Sequence, residues 1–466
     1  MSLSIVIMAA GKGTRMKSSL PKVLHRLAGQ PLIGHVLGAA AQLGDRNTVH
    51  TVVITGYGAA AVEAYVAQCA STAHCVRQMP QLGTGHAVQQ AVPLLPDSGT
   101  TLILNGDVPL IRNETAAALV QASNGRHLAL LTIPLDDATG YGRIIRNADG
   151  AITGIVEHKD ASEDQRRIRE VYTGVMAAPT AWLKSAVMGL RNDNAQAEYY
   201  LTDVVAQAVR DGISVVHTQA ANQTEVLGVN SPSQLADLER RCQQDRAQAL
   251  MEAGVRLADP ARLDVRGQLR CGRDVEIDIN CLFEGDVQLG DGVRIGSHCV
   301  IRDAVIGNGA VIHPFSHIDG EGHPVRVGPD ARIGPYARLR PGAELGAEVH
   351  IGNFVEVKNS RLAQGAKANH LAYLGDSTVG QRVNFGAGSI TANYDGAHKH
   401  HTVIEDDAHV GSNCVLVAPV TIGAGATIGA GSTIGKDAPA GQLTVARAKQ
   451  TSLTGWKRPL KNPTKG

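Results

Sequence analysis

Between about Val287 and Ile434 an aliphatic residue returns at nearly every sixth position. Val327, Ile333, Leu339, Leu345, Ile351 and Val357 form one unbroken series, and Val410, Leu416, Ile422, Ile428 and Ile434 form another. A glycine follows many of them, at Gly328, Gly334, Gly346, Gly352, Gly411, Gly423, Gly429 and Gly435. Period six is neither helical nor the simple alternation of a half-buried strand. It fits short strands wound around a triangular prism, three hexads to a coil, each sending one aliphatic side chain into a narrow bore. The tract predicts about eight coils stacked about 4.8 Å apart. Residues eighteen apart then lie one above the other, as Arg340 and Lys358 do, both in the slot after the inward aliphatic. Stacked cations repel. They either splay into water or hold an anion between them, and a phosphate suits two such donors.

The front half has a different rhythm. Ser4 to Met8 reads as a buried strand that runs into the Gly-rich loop Ala9 to Met16, where backbone N–H groups can approach an anion. The loop is neither a P-loop nor G-x-G-x-x-G. Leu20-Pro21-Lys22 adds a cation on a stiffened loop, and Pro31 to Leu43 reads as a helix. A strand at Thr48 to Thr55 and a helix at Gly58 to Gln68 complete a βαβ opening. A second Gly-rich loop, Gln78 to His86, leads into a helix through Val88 to Ala91. The strand Thr101 to Leu104 ends in Asn105-Gly106-Asp107, where a carboxylate beyond a parallel strand can hold a metal ion or cap the next helix. Gly140 to Ile144, Ile155 to Asp160, Tyr172 to Gly174, Glu198 to Asp203 (opening a helix) and Val226 to Asn230 follow. A helix from Ser231 to about Ala253, polar on most faces, reads as a strut between domains. The expected division is 1–230, a linker helix 231–253, and 254–466.

The hexads break between Lys367 and Asp376 and again at Ala392 to His401, and in repeat proteins such departures map to functional loops. His398, His400 and His401 read as a solvated basic loop rather than a metal site, with no acidic or Cys partner at a fitting spacing. The formal net charge of +1 argues against a nucleic-acid or membrane-surface protein, since those need a concentrated basic face. Seven scattered cysteines without a C-x-x-C pair indicate neither a disulfide framework nor a Cys-based zinc site, which points to a reducing cytoplasm. Leu3 to Ala10 is too short for a signal peptide or a span.

Ala9 to Met16, Leu20 to His25, Gln81 to Ala87, Gly106 to Leu110, Gly140 to Ile144, Glu157 to Asp160 and Leu227 to Asn230 resemble the sugar-1-phosphate nucleotidyltransferases. With Arg338 to Gly342, His370 to Asp376 and Asn393 to Gly396, the full length resembles the bacterial family of bifunctional N-acetylglucosamine-1-phosphate uridyltransferases and glucosamine-1-phosphate acetyltransferases. The resemblance implies an α/β Rossmann-like nucleotidyltransferase domain followed by a left-handed parallel β-helix. It implies acetyl transfer from acetyl-CoA to glucosamine-1-phosphate in the second half. Uridylyl transfer from UTP to N-acetylglucosamine-1-phosphate in the first would then release pyrophosphate and supply peptidoglycan and lipid A synthesis. It also implies a homotrimer through the β-helix, with acetyltransferase sites shared between subunits.

Joining two phosphates needs charge neutralisation and positioning rather than a side-chain nucleophile, so Mg²⁺, cations and backbone donors suffice. The resemblance assigns Mg²⁺ to Asp107 and Asn230, and the nucleotide to Met8, Ala9, Ala10, Gly11, Lys22, Gln78, Gly83, Thr84, Asn105 and Gly106. Arg15 should face the phosphates by its chemistry. Gly142, Glu157 and Tyr172 would line the sugar pocket. Tyr172 stands where the family usually has Asn, an aromatic able to stack on the sugar ring instead. For acetyl transfer an amine must lose a proton as it attacks a thioester, work suited to a His. The resemblance points to His370 as that base. It places Arg340, Lys358, Tyr373 and Asn384 on glucosamine-1-phosphate, and Ala387, Asn393, Tyr394, Ser412, Ala430 and Arg447 on acetyl-CoA.

Overall fold

The computed structural model describes residues 2–44, 49–194 and 196–460. Contacts divide the chain into two compact units, Met1–Asp245 and Arg246–Gly466. The division falls within the helix Pro232–Glu252.

The first unit is built on a nine-stranded sheet. Strand Leu3–Ala9 pairs in parallel with Val49–Thr55 on one side and with Thr100–Asn105 on the other. Thr48, where the sequence starts the second strand, lies outside the described residues. Beyond Thr100–Asn105 comes Glu170–Pro179, antiparallel to it and to Leu128–Pro134. From Leu3–Ala9 the chain builds outward first to Val49–Thr55 and His74–Arg77, then returns to Thr100–Asn105 on the opposite flank. The strand order reverses there. A crevice therefore opens beyond the carboxyl ends of the two adjacent strands, where open α/β sheets bind ligands. Ile5 and Ile7 pack into the apolar core on one face and Val6 into that on the other, so a continuous apolar run is what this buried strand requires.

The second unit is a left-handed parallel β-helix of three-sided coils. Ile333 pairs with Ile351 and Leu339 with Val357, each eighteen residues on, and all four are fully buried in the bore. The coils run further than the hexads suggest. One wall has eleven strands, from Arg256–Leu257 to Leu443–Thr444, instead of the eight or so expected. The early coils escape the six-residue signature because Leu263–Cys271 and Cys281–Leu289 are nine-residue strands, with inward side chains at Cys281, Phe283, Val287 and Leu289. Coil length also varies. Leu345 meets Leu362 seventeen residues on, while Asn384 meets His409 twenty-five residues on, the surplus being extruded as the bulge at 393–401.

Candidate functional site

In the first unit, the Gly-rich loop at 9–11 and the second loop at 78–84 border one cavity of about 450 Å³. Met8, Ala9, Ala10, Gly11, Lys22, Gln78, Gly83, Thr84, Asn105 and Asp107 all line it. Gln81 Nε2 donates to the Ala10 carbonyl and ties the two loops together, while Gln78 Nε2 donates to the Gly83 carbonyl at 2.8 Å and braces the second loop on itself. Gly106 N–H donates to the Met8 carbonyl at 2.9 Å, which sets the turn carrying Asp107 against the end of the first strand. Gly83 has φ 103 and a Cβ there would stand 2.7 Å from the Tyr199 carbonyl, so this position accepts glycine alone.

Lys22, Asp107 and Asn230 converge. The Lys22 ammonium donates to Asp107 Oδ2 at 2.5 Å and to Asn230 Oδ1 at 3.0 Å, and both charged side chains are mostly buried. The cation held between these two oxygens is the Lys22 ammonium, and as hard donors they are of a kind that suits Mg²⁺. Among the described residues, no group of three or more His, Cys, Asp and Glu side chains could hold a metal ion, so the described residues offer this pair rather than a complete cage.

The remaining first-unit candidates are spread more widely. Arg15 is exposed on a single 3-10 turn and lies outside the cavity lining. Glu157 lies against Gly142, its carboxylate 3.8 Å from where a Cβ would be. Burial pushes the Glu157 carboxyl above its usual range, against a hydrogen bond from Thr202 that favours the charged form. Tyr172 corrects an expectation. Its ring is 7% exposed in the core beside Ile144 and Ile155 and has no free face to stack on a sugar, while its hydroxyl is buried without a partner. Sequence reasoning missed Lys12, Gln81 and Glu198, which also line the cavity.

In the second unit, Arg340, Lys358 and Tyr373 sit on strands of one wall, or just beyond them, where Glu356 pairs with both Arg338 and Tyr373. Arg340 N–H donates to the Val357 carbonyl, which sets it one rung below Lys358 as the stacking requires. The expected anion is partly supplied by the protein, since Arg340 pairs with Glu356 at 2.8 Å. Lys358 keeps cationic company instead. The close approach of Lys399, burial, and the like charges of Lys399 and Arg340 hold its ammonium below the usual lysine range. Lys399 comes from the bulge and was missed because only coil geometry brings position 399 back to 358.

His370 belongs to a corner column. Successive backbone N–H groups donate downward along it: Leu371 to Asn353 O, Gly388 to His370 O, Asn413 to Ala387 O and Gly431 to Ser412 O. Asn353, His370, Ala387, Ser412 and Ala430 therefore stack in one line, and Arg447 Nη1 donates to Ala430 O at 2.5 Å. His370 is exposed, its Nδ1 2.7 Å from Asn353 Oδ1. Asn384 lies on the wall of His370, beside His409, and not on the wall of Arg340 and Lys358. Asn393 is buried and donates to Asp376 Oδ2 at 2.5 Å, while Tyr394 is exposed on the bulge. The reading of the histidines there needs correcting in one respect. His400 has an acidic partner, Asp395 Oδ2 at 2.7 Å, while Oδ1 of the same carboxylate accepts N–H bonds from Ala397 and His398. Together these bonds hold the Asp395 carboxyl far below its usual range.

A crevice lined by two glycine loops in an α/β unit, joined to a hexapeptide-repeat coil, marks a nucleotidyltransferase fused to a hexapeptide-repeat transferase. The MobA-like NTP transferase domain model matches residues 5–257, and the bacterial transferase hexapeptide model (six repeats) matches 270–303, 324–359 and 401–436. The chain is 71% identical over 464 residues to the bifunctional protein GlmU of Methylibium petroleiphilum, covering 98% of this chain and 99% of that protein. It is 64% identical to those of Paracidovorax citrulli and Polaromonas naphthalenivorans, over 99% of this chain and 99% and 98% of theirs. The chain belongs to the bifunctional GlmU family.

Proposed function

We propose that this chain makes UDP-N-acetylglucosamine in two steps, each unit catalysing one. In the second unit, His370 takes a proton from the amine of glucosamine-1-phosphate as that nitrogen attacks the acetyl-CoA carbonyl. The C–N bond forms, the C–S bond breaks and CoA leaves as the thiol. Arg340, Lys358 and Lys399 hold the sugar phosphate. The Asn353 bond to Nδ1 orients the ring so that Nε2 can act as base. Ala387, Ser412, Ala430 and Arg447 form a strip of small side chains ending in a cation, suited to an extended thioester carrying phosphates.

In the first unit, a phosphate oxygen of N-acetylglucosamine-1-phosphate attacks the α-phosphorus of UTP, and pyrophosphate leaves. Lys22 and the loop N–H groups offset the phosphate charge, and the loops fix the line of attack. Mg²⁺, held by Asp107 and Asn230, would supply further neutralisation of the phosphates. Gly142 and Glu157 receive the sugar.

Assembly as a homotrimer is supported by an exposed apolar ridge on the β-helix. Phe315, Tyr336 and Phe354 stack on one corner, with ring centroids 4.9 and 5.4 Å apart, and Leu371 extends the line beside His370. A cytoplasmic setting fits the seven free cysteines, and no helix among the described residues is long and apolar enough to cross a membrane.

The observation carrying this reading is the convergence of Lys22 and Asp107, which line the glycine-loop cavity, with Asn230. The test is to supply acetyl-CoA, glucosamine-1-phosphate, UTP and Mg²⁺ and to follow UDP-N-acetylglucosamine. Release of CoA without nucleotide sugar would leave the β-helix activity alone standing.

A further inference from the structure

The segment Glu198–Asp203 joins the two halves of the first-unit site. At its start Tyr199 N–H donates to the Leu82 carbonyl at 2.8 Å, and Gly85 N–H donates to the Tyr199 carbonyl at 2.7 Å. Leu201 N–H donates to Thr84 Oγ1 at 3.0 Å. These bonds straddle Gly83 and fasten the segment to the nucleotide loop. One residue further on, the Thr202 hydroxyl donates to Glu157 Oε1 at 2.9 Å. Thr202 is 5% exposed, so water cannot easily replace that donor.

We propose that Thr202 is a positioning residue for uridylyl transfer: with the preceding backbone pinned to the nucleotide loop, its hydroxyl fixes the Glu157 carboxylate, so that one short segment sets the place of the sugar relative to the nucleotide. The proposal rests on the reading of Glu157 as a sugar-pocket carboxylate. The charged and titratable groups facing Glu157 are Asp160, after the strand Ile152–Val156; Asp203, opening the helix Asp203–Arg210; Tyr172, on the strand Glu170–Pro179; and Tyr200, within the segment itself. None is a cation. Two are carboxylates that disfavour a third charge, which leaves the Thr202 hydroxyl as the contact that favours the ionised form.

The experiment compares full-length wild type, Thr202→Val, Thr202→Ala, Thr202→Ser and Glu157→Gln in initial-rate uridylyl transfer, with thermal melting of each. KM is measured separately for UTP and for N-acetylglucosamine-1-phosphate, and kcat/KM for the sugar phosphate is followed across acid and neutral pH. Removing a hydrogen bond to a charged group should raise the sugar KM roughly tenfold in the Val and Ala variants, with the UTP KM unchanged. The acid-side fall in kcat/KM should move to higher pH, since the neutral carboxyl is then easier to form. Thr202→Ser should restore both. An acid-side profile identical to wild type in Thr202→Val and Thr202→Ala, or a serine variant as impaired as they are, overturns the positioning role. If Glu157→Gln keeps the wild-type sugar KM, the reading of Glu157 falls. If Glu157→Gln loses sugar affinity while the threonine variants do not, the role of Thr202 alone falls.

Discussion

Lys22 and Asp107 are in direct contact: the ammonium lies 2.5 Å from the carboxylate and shares Asn230 as a second partner. Eighty-five residues separate them in sequence, and the strand reversal between Leu3–Ala9 and Thr100–Asn105 brings them together. Replacing Asp107 with Ala removes one of two oxygens offered to a divalent ion and leaves Lys22 with Asn230 as its remaining partner. Pyrophosphate release from UTP and N-acetylglucosamine-1-phosphate should fall by at least about a hundredfold. Thiol release from acetyl-CoA should stay at the wild-type rate, because that chemistry uses other residues.

His370→Ala should do the reverse, lowering acetyl transfer by about 10²- to 10⁴-fold while pyrophosphate release is kept. Asn353→Ala should give an intermediate loss, since it removes the partner of Nδ1 and leaves the base in place. Paired assays on the same preparations decide it. Loss of both activities from either variant would contradict two independent sites.

Lys358 should make acetyl transfer sensitive to alkali. Its charge is disfavoured by Lys399 and Arg340, so its ammonium deprotonates below the usual lysine range. Phosphate affinity is full below that point and lost as pH rises through it. The KM for glucosamine-1-phosphate should therefore climb at a lower pH than an ordinary lysine predicts. Lys399→Gln removes one of the like charges and should move the climb to higher pH, while weakening binding at neutral pH. A pH profile unmoved by Lys399→Gln would show that the two side chains do not interact in solution.

The bulge at 393–401 is tied by Asp395, whose carboxylate gathers Ala397, His398 and His400. Asp395→Asn weakens this knot and should free Lys399 from its place near Lys358. The KM for glucosamine-1-phosphate should rise several-fold with thermal stability little changed, measured by thiol release and melting. Acid should act the same way. Because the carboxyl is held far below its usual range, its contribution is present above the ordinary carboxylate pKa and fades only as pH falls through the depressed value.

The prism was legible because its bore admits one aliphatic per strand, so Ile333, Leu339 and Ile351 repeat the same demand. Its early coils were not, since nine-residue strands place inward side chains at a different spacing. In the first unit the loops after Met8 and Asn105 could be read from glycine and charge. Leu128–Pro134 and Val215–Gln219 escaped notice, although they complete the sheet. Leu128–Pro134, buried from Leu128 to Ile133, is a short apolar run whose type pattern alone does not settle. Individual site contacts were hardest. Glu356 on Arg340, Lys399 by Lys358 and Thr202 on Glu157 arise from coil stacking or chain reversal, which spacing along the sequence does not encode. Tyr172 shows the limit of residue type: an aromatic suggests a platform, yet burial turns it into packing with a stranded hydroxyl.

Strands before and after the bulge keep their pairing, Asn384 on His409 and Phe385 on Val410, although seven more residues lie between them than in a regular eighteen-residue coil. That vertex behaves as a socket. Chain can be spliced in or cut back there while the scaffold below and above stays as it is, because loop closure grows only slowly more unfavourable with length. Acceptor preference in proteins of this architecture could then diverge by exchanging what is plugged into one vertex, with the load-carrying stack left untouched.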